Sequence, residues 1–177
     1  MKLIVAISGA SGVGLAEKFI AYLPDTNSLE VHVIASDHAN TVAICEEQKS
    51  NIIIHDNTNI AASIASGSFQ VDMTVIVPCS MNTLAKIAHG IADNLITRVA
   101  AVALKEQKKL LIAPREMPFS AIALENMHKL SLLGVVVAPP VMAYYSESQS
   151  LEDMERFLIG KWYDLLGIEH NLYKRWK

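Results

Sequence analysis

The chain has 177 residues, of which 51% are hydrophobic and only 19% charged, with 15 basic against 18 acidic side chains for a net charge of −3. That charge content is below the roughly 25% of an ordinary soluble domain, and the mean hydropathy is +0.28, which excludes a disordered chain and gives no electrostatic case for a nucleic-acid partner. Two cysteines, Cys45 and Cys79, without paired spacing exclude a disulfide scaffold and a cysteine zinc site.

In chain order, Leu3–Ser8 is apolar and rich in β-branched residues and reads as a strand. Ser8-Gly9-Ala10-Ser11-Gly12 turns it into a helix over Gly12–Leu23. Val31–Ser36 is the second strand, followed by helical spacing at His38–Glu47. Ile52–Ile54 is a candidate short strand, and Asn59–Ala65 has helical spacing. Thr74–Pro78 is a further strand, expected to stop at Pro78 because proline has no N–H to give the ladder. Helices are expected at Thr83–Ala88 and Asn94–Glu106, the latter capped by Asp93. Lys109–Ala113 and Val135–Ala138 are strands on either side of a helix at Pro118–Leu132. Ser150–Leu166 is a helix whose Ser150 and Asp153 suit a capping box.

Nearly uninterrupted apolar strands alternating with helices predict a parallel sheet covered on both faces. The expected fold is therefore α/β: a doubly wound, mainly parallel sheet in three α/β/α layers. At this length residues 1–177 are expected to form a single domain, with a tail at about 167–177 that contains Lys174, Arg175 and Lys177. The longest apolar stretches, Met73–Pro78 and Leu132–Val141, fall far short of the roughly 20 residues that span a bilayer. The first strand runs into a glycine loop rather than a cleavage site, so a cytoplasmic protein without a membrane span is expected.

In such sheets ligands bind beyond the carboxyl ends of the strands. The first junction offers Gly9 and Gly12 for close backbone approach, and Ser11 at a helix start, where it suits an anion or is a simple N-cap. After Ser36 comes Asp37, with Glu46 and Glu47 further along; a solvated helix face is the plainer reading of Glu46. The third junction, Pro78-Cys79-Ser80-Met81-Asn82-Thr83, offers hydroxyls, an amide and helix N–H groups to a phosphate or a flavin edge. Cys79 reads better as a small buried hydrophobe than as a nucleophile. At the fourth junction, Arg115 and Glu116 lie between Pro114 and Pro118, a costly charged pair at the end of a buried strand unless a ligand or partner meets it. Tyr144 and Tyr145 follow the last strand. Six scattered histidines show no metal-ligand spacing, and no nucleophile elbow or P-loop is present. This rim fits a phosphorylated cofactor and an anionic substrate.

The chain also resembles the flavin prenyltransferase (UbiX-like) family, long labelled aromatic acid decarboxylases, within the wider group of flavin-containing cysteine decarboxylases. The resemblance is carried by ISGASG at Ile7–Gly12, SGSF at Ser66–Phe69 and the run Val77–Glu106. PREMPFSAIALENMHKLSLLG at Pro114–Gly134, AYYSESQSLEDM at Ala143–Met154 and RW at Arg175–Trp176 complete it. It implies a homododecamer that transfers a dimethylallyl group from dimethylallyl monophosphate to N5 and C6 of reduced FMN, without a metal. The product would serve a UbiD-like decarboxylase.

By the same resemblance Gly9, Ala10, Ser11, Ser36, Ser80, Met81, Asn82, Thr83 and Arg115 bind FMN. Lys105, Arg115, Tyr145 and Lys161 bind the donor phosphate, and Trp176 lines the prenyl pocket. Ser11, Glu46 and Glu116 lie near the reacting centre, with Glu46 as proton acceptor. The tail would pack at a subunit interface or the active site. Several features depart from the family pattern: Lys161 stands where arginine is usual, Asp37 where lysine is common, the stretch after Glu46 is shorter than usual, and the first helix reads SGVGLAEKF where many relatives have a tyrosine-glycine pair. The alternatives are an FMN-dependent cysteine decarboxylase and a non-catalytic FMN-binding module.

Overall fold

The computed structural model describes residues 1–9, 12–24, 28–36, 52–146 and 149–175. Six strands form one parallel sheet: β1 (Lys2–Ile7), β2 (Glu30–Ala35), β3 (Ile52–Asp56), β4 (Met73–Cys79), β5 (Lys109–Pro114) and β6 (Val136–Val137). Their spatial order is β3-β2-β1-β4-β5-β6. The chain winds outward from β1 in one direction and from β4 in the other, so the order reverses between these two strands. That is where an open α/β sheet leaves a crevice.

Alternation along each strand divides the core into two. Leu3, Val5 and Ile7 of β1 point to one face with Val31, Val33, Val75, Val77 and Leu111. There they meet Ala16, Phe19 and Ile20 of α1 (Val13–Ala21) and Ile159, Trp162 and Tyr163 of the last helix. Ile4 and Ala6 point to the other face with Ile34, Ile76, Leu110 and Ile112. That face is covered by α2 (Met81–Ala88), α3 (Leu95–Lys105) and α4 (Ala121–Leu132). The last helix, α5 (Leu151–Leu166), begins with the expected box: the Ser150 hydroxyl accepts from the Asp153 N–H at 3.1 Å, and Asp153 accepts from the Ser150 N–H at 3.1 Å.

Several local expectations need correction. Asn94, not Asp93, caps α3, because its amide oxygen accepts from the Thr97 N–H at 3.0 Å. Asp93 pairs instead with Lys86 at 2.6 Å. Residues 59–65 form turns and a 3-10 turn at Ser63–Ala65 rather than a helix, since the Asn59 side chain takes the Ala61 N–H into a local bend. β4 continues through Pro78 to Cys79; the ladder tolerates the proline because the β4–β5 register shifts between Ile76 and Cys79. Ser120 caps α4, which starts three residues after Pro118. The expected helix at His38–Glu47 lies outside the described residues.

Candidate active site

The carboxyl ends of β1 and β4 are joined side by side. The Ser8 N–H donates to the Pro78 carbonyl at 3.1 Å, and the Ser80 N–H donates to the Ser8 hydroxyl at 3.0 Å. On the other side of β1, the Gly9 N–H donates to the Ser36 hydroxyl at 3.3 Å, and the Ser36 N–H to the Ile7 carbonyl at 2.9 Å. The Arg115 N–H donates to the Cys79 carbonyl at 3.2 Å, which brings the β5 exit to the same rim. Four strand ends thus converge at the point where the winding reverses.

Two glycines shape this rim. Gly9 has φ +98, and a β-carbon on it would stand 3.3 Å from Cβ of Ser80. Gly12 has φ +94, and its β-carbon would meet Arg115 Cδ at 3.4 Å and Pro78 Cβ at 3.5 Å. Only glycine adopts such backbone at no steric cost, and here it also keeps the space above the strand ends open.

Helix α2 points its N-terminus at this space. The Ser80 hydroxyl accepts from the Thr83 N–H at 3.2 Å and donates to the Thr83 hydroxyl at 3.0 Å. With that N–H committed, the first-turn N–H groups of Met81 and Asn82 are the ones left for an anion. Cys79 is fully buried behind the rim, and burial pushes its thiol up to about 12, so it packs as a hydrophobe and is no nucleophile.

Arg115 and Glu116 correct one expectation. Neither is buried, and among the described residues no ion pair joins them. Glu116 instead accepts from the Met117 N–H at 3.1 Å. The Arg115 side chain passes beside Gly12, and with Gly14, Lys18, Pro140 and Glu155 it lines an open depression of about 650 Å³. Arg115 is exposed there, and among the described residues no carboxylate pairs with it, which leaves its guanidinium to an anion.

The remaining residues do not gather there within one chain. Lys105 is the last residue of α3, which runs back along the sheet, and it pairs with Glu106 at 3.1 Å beside the amino ends of the strands. Lys161 is exposed on α5, whose final carbonyl, at Leu166, accepts from Lys109 at the start of β5. Lys105 therefore lies at the amino ends of the strands, opposite the rim, and Lys161 on the half of α5 that runs toward that end. Tyr145 is exposed in a short 3-10 turn, Tyr144–Ser146, with its ring edge-on to Phe157 at 5.7 Å. Ala10, Ser11, Asp37, Glu46 and Trp176 lie outside the described residues. Ser8 is the rim residue that sequence reasoning passed over, and its only signal is a hydroxyl ending an otherwise apolar strand.

A flavoprotein family model matches residues 1–163. The flavin prenyltransferase UbiX of Helicobacter pylori is 50% identical, over 99% of this chain and 98% of its own. That of Methanocaldococcus jannaschii is 45% identical, again over 99% and 98%. The chain belongs to the UbiX flavin prenyltransferase family. Solved structures of this family superpose closely. A dodecameric FMN-dependent UbiX-like decarboxylase from Escherichia coli O157:H7 is 36% identical over the whole of both chains, with TM-score 0.91. AnUbiX (PadA1), in complex with FMN and dimethylallyl pyrophosphate, is 34% identical over 99% of this chain and 97% of its own, with TM-score 0.90.

The rim fits FMN on its own geometry. The space a β-carbon at Gly9 or Gly12 would fill stays open, and two N–H groups at the start of α2 suit a phosphate. Among the described residues no helix is long and apolar enough to cross a membrane, and no group of three His, Cys, Asp or Glu is placed to hold a metal ion.

Proposed function

We propose that this flavin prenyltransferase moves a dimethylallyl group from dimethylallyl monophosphate to N5 and C6 of reduced FMN, in the cytoplasm, and supplies the product to a UbiD-like decarboxylase. The observation that carries the proposal is the rim where Ser8, Gly9, Ser36 and Ser80 are tied together with Arg115 at its mouth. Gly9, Ala10, Ser11, Ser36 and Ser80 to Thr83 hold the flavin, with the α2 N–H groups at its phosphate. When bound and reduced, FMN supplies an electron-rich ring that accepts the five-carbon group.

The chain's charged residues act on the other product. Breaking an allylic C–O bond leaves growing negative charge on phosphate, and Lys105, Arg115 and Lys161 neutralise it. Lys161 gives a point charge where arginine would give a planar fork. Tyr145 donates its hydroxyl to the same phosphate, and the Trp176 face steadies positive charge on the allyl group. Glu46, directly or through Ser11, accepts the proton released when the ring closes, with Glu116 nearby.

Because Lys105 and Lys161 lie away from the rim of their own chain, the donor site draws them from neighbouring copies. A homododecamer like that of the Escherichia coli relative provides those neighbours. Extensive subunit contact also accounts for the exposed apolar side chains of Met117, Ile122, Leu132, Val141 and Tyr144.

The test is anaerobic incubation of the protein with reduced FMN and either dimethylallyl monophosphate or the pyrophosphate, followed by mass and absorption spectra of the flavin. A mass gain of one five-carbon unit with the monophosphate is expected. Unchanged flavin with both donors, where a known relative reacts, would overturn the proposal.

A further inference from the structure

The segment after α5 folds back on the helix it has just left. Asp164 is its anchor: one carboxylate oxygen accepts from His170 Nε2 at 3.1 Å and from Arg175 at 2.8 Å, and the other from the Tyr173 hydroxyl. Burial alone would raise this carboxyl, but the three donors, Arg175 first, outweigh it and hold the group at about 2. The turn is closed locally as well, since the Leu172 N–H donates to His170 Nδ1 at 3.1 Å.

Gly160 provides the seat. It lies inside α5, where no turn needs it and where glycine is the least favourable residue after proline. A β-carbon there would stand 2.5 Å from Tyr173 Cδ1 and 2.8 Å from His170 Cε1. The tail rings occupy the space that any other side chain would take.

The contacts continue toward the other end of α5. The Tyr173 ring lies 4.7 Å from that of Phe157, which in turn meets Tyr145. Tyr173 and Lys174 line one groove with Ser146, Gln149 and Asp153, at the start of the helix. The tail thus climbs α5 from its carboxyl end toward the end nearer Arg115.

We propose that Gly160 and Asp164 are positioning residues: they strap residues 168–175 to α5, and the strap, through Tyr173 and Phe157, sets Tyr145 for binding the prenyl donor. The proposal rests on the prenyl-transfer reading above. It predicts an effect on the donor side of the reaction and none on the flavin side.

The test uses the full-length oligomer and two variants that loosen the strap by different means. Gly160→Ala crowds the seat while raising helix propensity, and Asp164→Asn removes the charge that Arg175 and His170 grip. In each, the KM for dimethylallyl monophosphate is expected to rise about tenfold or more, with FMN affinity within about twofold of wild type, since among the described residues the strap's hydrogen bonds and ring contacts go to α5 and not to the rim. Asp164→Glu, which restores the charge, is expected to recover part of the loss. Carboxypeptidase is expected to release residues 175–177 faster from both loosened variants. Equal release from all proteins, or a parallel fall in FMN affinity, would overturn the strap. If wild type itself forms no adduct, the prenyl-transfer reading fails, and carboxypeptidase release alone decides the strap.

Discussion

A β-carbon at Gly9 would stand 3.3 Å from Cβ of Ser80, across the gap between the first and fourth strands. That separation sets the width of the rim at the point where the sheet changes winding direction. The φ of +98 at Gly9 adds a second constraint, because L side chains rarely adopt it.

Gly9→Ala is therefore expected to cost about 1 kcal/mol or more in backbone strain and to push the loop against Ser80. FMN affinity should fall by about tenfold or more, while far-UV circular dichroism stays that of the wild type. Fluorescence titration of FMN measures the first and a thermal melt the second. Unchanged FMN affinity would show that the Gly9–Ser80 gap does not face the flavin.

Lys105 and Arg115 flank opposite ends of β5 in one chain, Lys105 before its amino end and Arg115 after its carboxyl end. If the donor site takes one from each of two copies, Lys105→Ala and Arg115→Ala should each abolish most activity alone. Co-assembled in equal amounts, they should regain activity at about a quarter of the sites by random assortment in a symmetric oligomer. Adduct formation by the mixed oligomer measures this, and no recovery would place both residues at one chain's own site.

Glu46→Gln is expected to bind FMN as well as wild type yet form adduct slowly, by a factor of about 10² or more, because an amide cannot accept the proton. Single-turnover flavin spectra separate the two effects. Wild-type turnover would remove Glu46 from the proton path.

A pH effect on stability arises away from the rim. Buried His32 donates from Nε2 to Glu30 at 2.8 Å, so its Nδ1 accepts from His55 Nε2 at 2.9 Å. Burial lowers His32 below the usual histidine range, opposed by Glu30 and aided by Lys2. Burial, then His32, lowers His55. Both therefore take up protons more readily when unfolded, so stability is full above about pH 6.5 and falls as pH drops below it. Guanidinium midpoints should decline between about pH 7 and 5, and the decline should shrink in His55→Gln. An equal decline in that variant would remove His55 from the effect.

The two ends of α5 show how far the sequence reaches. Ser150 and Asp153 were legible as a capping box, because a cap needs only hydroxyl and carboxylate three residues apart, and the helix begins there. Gly160 was not legible, because its reason is the Tyr173 ring, which reaches it only after the chain reverses at Gly167. The same division explains the α3 start. Asp93 and Asn94 are both good caps, and what decided for Asn94 was Asp93 being taken by Lys86 of the preceding helix.

By itself the sequence determined the strands, the parallel sheet and the chemistry of the strand ends. Those depend on side-chain period, apolar runs and glycine or hydroxyl residues at turns, all short-range properties of the chain. Only the tertiary structure decided that β1 and β4 stand together, that Ser8 ties them, and that Arg115 shares their rim while Lys105 and Lys161 do not. A charge's type is written in the sequence, but its position depends on which way its helix runs across the sheet, and that is fixed by packing over both faces.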